Sequence, residues 1–442
     1  MSRPSLGSGG VRLRAVALAG LSAAISVACG AGASQVARSA APPRATTPDA
    51  GVAEDVDEHA TDDDVTAPPA APPPRAVTIG ASGDILAHLK VIRSAEEFAN
   101  EGGFVHVLGR LREVIGDDEI AFANLETPLS MRVPPETGDP PVLGAPTSVA
   151  DALRDVGFDV VSVANNHAYD QTAVGLAETL AALDAAHVGA VGASLDAARA
   201  PGPLVIERGG VRVAFVAFTE RVNRGPLAQG TSATVARYDD DRARAALETA
   251  RGIADVVVLS IHWSHDFIDS PRILQRQRAR LLLDAGADVI LGHGPHVLQE
   301  VERTTSPRGD AVIAYSLGNL VSNQGMRYWP GRPVPEDMHP ALVQPGSRDG
   351  VWLRTRVRLD EDRIVVDDVE AVPLWTRNNY IEVARERAGL LDIGVGPLTD
   401  APAPLPAERG RAIRAALGDG VRVAGEASED ARKWHRVKPA RR

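Results

Sequence analysis

A single cysteine, Cys29, in 442 residues excludes an internal disulfide. Aromatic residues are scarce at 4% of the chain, so Val, Ala and Leu must supply most of any core. No apolar run is long enough for a comfortable membrane span; "AVALAGLSAAISVA" near the N-terminus stops at 14 residues. There is no G-x-S-x-G nucleophile elbow, and Ser316 in "YSLGN" has no such context, so serine hydrolase chemistry fits poorly. Internal repeats and a phosphate-cradling glycine loop are also missing, "GASGD" being too short and generic.

Basic residues are outnumbered. The formal charge is −11, which argues against a nucleic-acid partner, but it is unevenly spread. Eight acidic residues and no Lys or Arg lie between Asp49 and Asp64, inside a proline-bounded stretch with little that could form a core. Removing those eight leaves about −3 for the rest of the chain, which is nearly balanced.

Residues 1–29 read as an export signal. Arg3, Arg12 and Arg14 precede the apolar segment, and small residues surround Ala28. Cys29 stands where a bacterial lipoprotein carries its lipid, although Ser26 replaces the usual lipobox Leu. Lipid attachment at Cys29 is the favoured reading, with ordinary signal cleavage and a retained anchor as the alternatives. Residues 30–75 read as a disordered, acidic, Pro-rich tether that would reach several tens of Å from a membrane at about 3 Å per extended residue. The expected location is the cell envelope, as a membrane-anchored lipoprotein or else periplasmic or secreted.

From "RAVTIGASGDILAH" onward, helical patterns at about 95–115, 145–157, 171–186, 238–251 and 272–285 alternate with apolar strands. The strands are expected at 76–81, 119–123, 159–164, 211–218, 255–262, 288–292 and 311–316. Such alternation predicts a layered α/β core over 76–378. Residues 350–376 predict a hairpin turning at "DEDR", added at an edge of that domain. The remainder, 379–442, reads as a surface-packed or flexible tail ending in the basic "RKWHRVKPARR".

Five polar clusters fall at or just beyond strand ends: Asp84 with His88, Asn124 with Glu126, Asn165–Asn166–His167 with Asp170, His262 with His265 and Asp266, and His293 with His296. Singly, each has a plain structural explanation as a cap, turn former or core histidine. Together they hold six of the eleven histidines, and a layered sheet gathers its strand ends at one edge. Mixed Asp, Glu, Asn and His donors suit a pair of divalent ions such as Mn, Zn, Fe or Ni. A histidine left free of the ions would protonate a leaving group. His59, His106, His187, His339 and His435 are expected to be structural.

The ordered set GDxL, NLE, ANNHxxD, IHW, GHxPHVLQ and YSLGN, over about 77–325, resembles the CapA-type poly-gamma-glutamate capsule biosynthesis family. That family is itself similar to the calcineurin-like metallophosphoesterases. The resemblance implies a sandwich of two mixed sheets flanked by helices, with the C-terminal β-hairpin as an extension. It also implies roles. Asp84 would bind a first metal, completed by His88 and by His296. Glu126 would bridge, Asn166 would give an amide ligand, and His262 with His293 would serve a second metal. His167 would act on the departing oxygen, with Asn165, Asp170, Tyr315 and Asn319 orienting ligands or facing substrate. Three positions depart from the family pattern: Gly294 where His is frequent, Ser264 where Gly is usual, and Glu126 where the wider superfamily has Asp.

The implied function is that of an exported metal-dependent hydrolase acting on an anionic envelope polymer or a phosphoester. A membrane-bound polymer synthase or exporter is the expected partner. The alternative is a noncatalytic polymer-binding or assembly component that keeps the metal site.

Overall fold

A computed structural model describes residues 75–424, apart from 117–118 and 227–230. The expected export signal, Cys29, nearly all of the expected tether and the basic C-terminal end lie outside the described residues. No helix among the described residues is long and apolar enough to cross a membrane.

Two half-sheets of matching design make up the fold. In the first, Gly189–Val191, Val160–Ser162, Glu119–Leu125 and Ala76–Ile85 run parallel. Asp349–Asp360, Arg363–Asn378 and Ile393–Pro397 continue it antiparallel. In the second, Val211–Thr219, Val256–His262, Val289–His293 and Gly309–Ala314 are parallel. Leu204–Arg208 and Val301–Ser306 close its edges antiparallel. Both sheets are mixed, and helices flank them.

Alternation along each strand explains the layering, because successive side chains point to opposite faces. Ile120 and Phe122 enter the same apolar cluster as Val213, Phe215, Val256 and Val289, from the opposite half. The Phe122 and Phe215 rings stack across this interior at 5.8 Å. Their neighbours face outward: Ala121 and Ala123 meet Val91 and Ile92 of helix Leu89–Glu97 and Leu153 of helix Ser148–Val156. On the other side, Val257, Leu259 and Ile290 meet Leu247 of helix Asp240–Arg251 and Leu282 of helix Ile273–Asp284. Strands covered on both faces need apolar residues at every position, which is why they read as continuous runs.

The structure corrects three expectations. The helix expected over 95–115 breaks into short pieces after Glu97, because Gly102 and Gly103 take positive φ of 95° and 59°. The hairpin has its turn at 360–363 as expected, with Asp360 paired to Arg363, but it is no edge extension. Its first strand pairs with Ala76–Ile85, and both of its faces are buried, Leu353 in one cluster and Trp352 in another. Its second strand joins the two half-sheets where Gly309 meets Ile364. Gly309 has φ of 129°, and a Cβ there would lie 2.2 Å from the Ile364 carbonyl oxygen, so only glycine permits that junction.

The third correction concerns the tail. Residues 380–390 do pack on the surface, but from Leu391 as far as 424 the chain enters the core: Ile393–Pro397 is a sheet strand, and Ile413 and Leu417 of helix Leu405–Leu417 are fully buried. Arg409 of that helix makes a buried ion pair with Asp349, its Nε donating to Oδ1 at 3.0 Å.

Candidate metal centre

The parallel strands of both half-sheets end at the same place. Asp84 is in register with Asn124 on one side and Asn319 on the other, and His262 is in register with His293. Glu126 follows its strand by one residue, and its N–H donates to the Ile85 carbonyl at 3.1 Å. His296 sits on the turn after Val289–His293 with φ of 59°. The topology thus collects at one edge groups scattered over more than two hundred positions.

Ligand atoms of Asp84, Glu126 and His296 all lie within 4.8 Å of one another, and the three residues are buried. Asp84 is the hub. Asn124 Nδ2 and Gly294 N donate to its two oxygens at 2.8 and 3.2 Å. His293 Nδ1 lies 3.4 Å from Oδ1, and His296 Nδ1 lies 3.1 Å from Oδ2. Asn319 fixes His296 from behind: its Nδ2 donates to Ser322, Gln324 and the Ser347 carbonyl, leaving Oδ1 at 3.2 Å from His296 Nδ1.

Beside this hub are buried donor atoms with no partner. Both oxygens of Glu126, both ring nitrogens of His293 and the side-chain oxygen of Asn166 make no hydrogen bond. Burying such groups unsatisfied costs about 1–3 kcal/mol each, and more when charged. His262 Nε2 is 3.6 Å from Glu126 Oε1, too far for a hydrogen bond.

Proton affinities show the same demand for positive charge. Burial, then the charge of Asp84, push Glu126 well above the usual carboxylate range. Burial opposes ionisation of Asp84 too, but His293 and His296 overcome it and hold the carboxyl well below that range. Burial works against protonation of His296, which Asp84 more than offsets, raising it. Burial drives His262 well below the ordinary imidazole value despite the pull of Asp84. Oxygen donors without partners beside the neutral imidazole of His262 are the setting a divalent cation satisfies.

A cleft of about 650 Å³ opens over this edge, lined by His88, Asn166, His167, Asn223, Asp266 and His296 among others. His167 Nδ1 is 2.6 Å from Asp170 Oδ2, which also accepts the Leu143 N–H at 2.7 Å. Arg224 Nε lies 3.6 Å from the other Asp170 oxygen. Asn165 holds the turn, donating to the Leu125 carbonyl at 2.8 Å and accepting the His167 N–H at 3.2 Å.

His88 stands outside the group of three; its Nδ1 accepts the Asn323 N–H at 3.3 Å. Burial, then the neighbouring His167 and His296, push its pKa down to about 3. Tyr315 does not face substrate: it is fully buried and its hydroxyl donates to Glu302 at 3.0 Å. His339, expected to be structural, lines the cleft, its ring edge-on to Phe267 at 5.8 Å. Asn223, absent from the expected site, places Nδ2 3.4 Å from His167 Nε2. It lies just beyond the 211–219 strand, so the strand-end rule that found the other clusters reaches it too.

A face-to-face pair of mixed sheets, with carboxylate, amide and imidazole donors where their parallel strands end, defines an α/β protein with a candidate metal-binding centre. The chain belongs to the bacterial capsule synthesis protein PGA_cap family, whose family model matches residues 78–324. It is 28% identical over 295 residues to the PGA biosynthesis protein CapA of Bacillus subtilis, covering 63% of this chain and 77% of that one. It is 29% identical over 256 residues to the capsule biosynthesis protein CapA of Bacillus anthracis, covering 56% of this chain and 60% of that one. Among solved structures, the calcineurin-like phosphoesterase YfkN of Bacillus subtilis is similar at 13% identity and a TM-score of 0.37, covering 68% of this chain and 91% of that one.

Proposed function

We propose that this chain is an exported metal-dependent hydrolase acting on an anionic polymer of the cell envelope, in the making, processing or anchoring of a poly-gamma-glutamate-like capsule. The observation that carries the reading is Glu126: a buried carboxylate with both oxygens unpartnered, beside Asp84 and His296 and under an open cleft. The names of its Bacillus relatives, in capsule and PGA biosynthesis, support the polymer. Export and attachment through Cys29 would keep it at the envelope, near a membrane-bound polymer synthase or exporter.

Asp84, His296 and His88 would hold one divalent ion, and Asn166, His262 and His293 a second, with Glu126 shared between them. Bound there, such ions polarise a phosphoryl or acyl oxygen and lower the pKa of water. The rest is the chain's own work. Asp170 accepts the Nδ1 proton of His167 and fixes its tautomer, leaving Nε2 to exchange a proton with the departing oxygen. Asn223 Nδ2, in reach of that nitrogen, steadies the ring across the cleft.

Full-length protein, stripped with chelator and then reloaded with Mn, Zn, Fe or Ni, should hydrolyse a phosphodiester or poly-gamma-glutamate only when loaded. His167→Ala should remove turnover while keeping the metal. Retained metal with no turnover of any such substrate would replace the hydrolase reading with a noncatalytic polymer-binding role.

A further inference from the structure

The cleft continues past the metal cluster. Lys90 lines its wall, and Lys90 Nζ sits 4.5 Å from the centroid of the Tyr380 ring. Tyr380 in turn lines a second cavity of about 400 Å³, with Arg327, Val343, Ile381 and Arg385. A third cavity, of about 170 Å³, shares Arg327 and Arg385 and adds Trp329 and Arg332. Backbone ties the parts together, since Arg327 N donates at 2.8 Å to the carbonyl of Leu342, a cleft residue.

The two smaller cavities are lined by Arg327, Arg332 and Arg385 and by no carboxylate. Among the described residues, Lys90, Arg327, Arg332 and Arg385 have no carboxylate within ion-pair distance. Arg332 and Arg385 instead both lie over Trp329, at 5.3 and 4.9 Å from its centroid. Glu336, Asp337, Glu382 and Glu386 are near in sequence and exposed, yet form no ion pair with them. Two guanidinium groups on one ring repel each other, and a bound anion relieves that repulsion.

We propose that this groove is an extended subsite for a linear polycarboxylate, which threads from Trp329 past Tyr380 and Lys90 toward the metal cluster. The proposal rests on reading the cleft as a polymer site. Arginine forks match carboxylates in a bidentate manner. The apolar floor of Trp329, Val343 and Ile381 suits the aliphatic stems that carry those carboxylates, and it favours such a chain over a sugar-phosphate or polyphosphate backbone.

The test is binding of a fluorescently labelled gamma-glutamate oligomer to full-length protein, by anisotropy, with metal and again with chelator. The Arg327→Gln/Arg385→Gln double variant should bind about tenfold more weakly than wild type, with a flatter dependence on ionic strength. Arg363→Gln, at the hairpin turn, should bind as wild type, and thermal melts should show all the chains folded. If the hydrolase reading alone fails, the arginine dependence persists in chelator. Wild-type affinity in the double variant, or equal weakening by Arg363→Gln, would overturn the groove. Tighter binding of polyphosphate of matched charge would overturn the polycarboxylate assignment.

Discussion

Asp84 and His296 are 212 residues apart in sequence and 3.1 Å apart in the structure, carboxylate oxygen to imidazole nitrogen. Everything else in the cluster hangs from that contact, because Asp84 also receives Asn124 and the Gly294 N–H and lies 3.4 Å from His293 Nδ1. Asp84→Asn keeps the shape and most of the hydrogen bonds but removes the charge. We expect it to fold and to lose bound divalent metal by elemental analysis. Added metal should raise the melting temperature of wild type and not of this variant, because an ion stabilises only a fold that binds it.

The second prediction separates catalysis from metal binding. Asp170 touches His167, Leu143 and the approach of Arg224, and stands outside the Asp84–Glu126–His296 group. Asp170→Asn leaves an amide that no longer enforces the Nδ1–H tautomer. Turnover should fall by about a hundredfold or more through kcat, with KM and metal content little changed. A fall through KM alone would assign Asp170 to substrate binding instead.

Much of this architecture is legible in the sequence because its strands are buried on both faces and stand out as apolar runs; the strands holding Glu119, Phe215, Leu259 and Ile290 lie where expected, and the first begins at Ala76 as expected but runs on through Asp84 to Ile85. The site follows because working residues sit just beyond those runs. The weaker elements are harder to read. Leu204–Arg208 alternates between intermediate and exposed and Val301–Ser306 buries only Val301, both at sheet edges, and the 379–424 region buries only scattered residues such as Ile393, Ile413 and Leu417. Tyr315 misleads for a related reason: it borders the YSLGN motif, but strand alternation turns it to the helix side, against Arg276 and Glu302.

Gly294 fills the position where the family pattern frequently has histidine. Its φ is 100°, and a Cβ there would lie 2.4 Å from the Trp263 carbonyl oxygen and 3.1 Å from His262 Nε2. Any side chain must therefore move the backbone whose N–H meets Asp84. Gly294→Ala should cost about 2–4 kcal/mol in denaturant unfolding and weaken metal binding as well. A near-neutral result would show that this turn can adopt another path.

Away from the site, acid stability should report Asp392. Burial favours its neutral form, but Arg377 Nε at 2.9 Å and His106 Nε2 at 3.0 Å outweigh it and lower the pKa. A carboxyl with a depressed folded-state pKa contributes stability above its unfolded value, about 4, and loses it as pH falls through the folded value. Asp392→Asn should thus cost about 1 kcal/mol at pH 7. The gap between the two chains should close progressively below about pH 4.

The C-terminal helix gives a direct measure of how far the core extends. Ile413 packs in the same cluster as Val369, Ala371, Trp375 and Leu417, with no exposure to solvent, while Arg411 on the same helix is exposed. The helix is also held by Tyr328, whose hydroxyl donates to Glu408 at 2.6 Å, and by the buried Arg409–Asp349 pair. Truncating a buried isoleucine removes transfer free energy and leaves a cavity, so Ile413→Ala should destabilise the chain by about 2–4 kcal/mol. Arg411→Ala should stay within about 0.5 kcal/mol of wild type. Both changes are read in one unfolding transition, because the helix and the sandwich share a core. A small loss at Ile413, or a separate low-stability transition, would mean that the helix rests on the domain without being part of it. In that case Tyr328 and Trp375, which pack edge-on at 6.2 Å beneath it, would mark the true limit of the core.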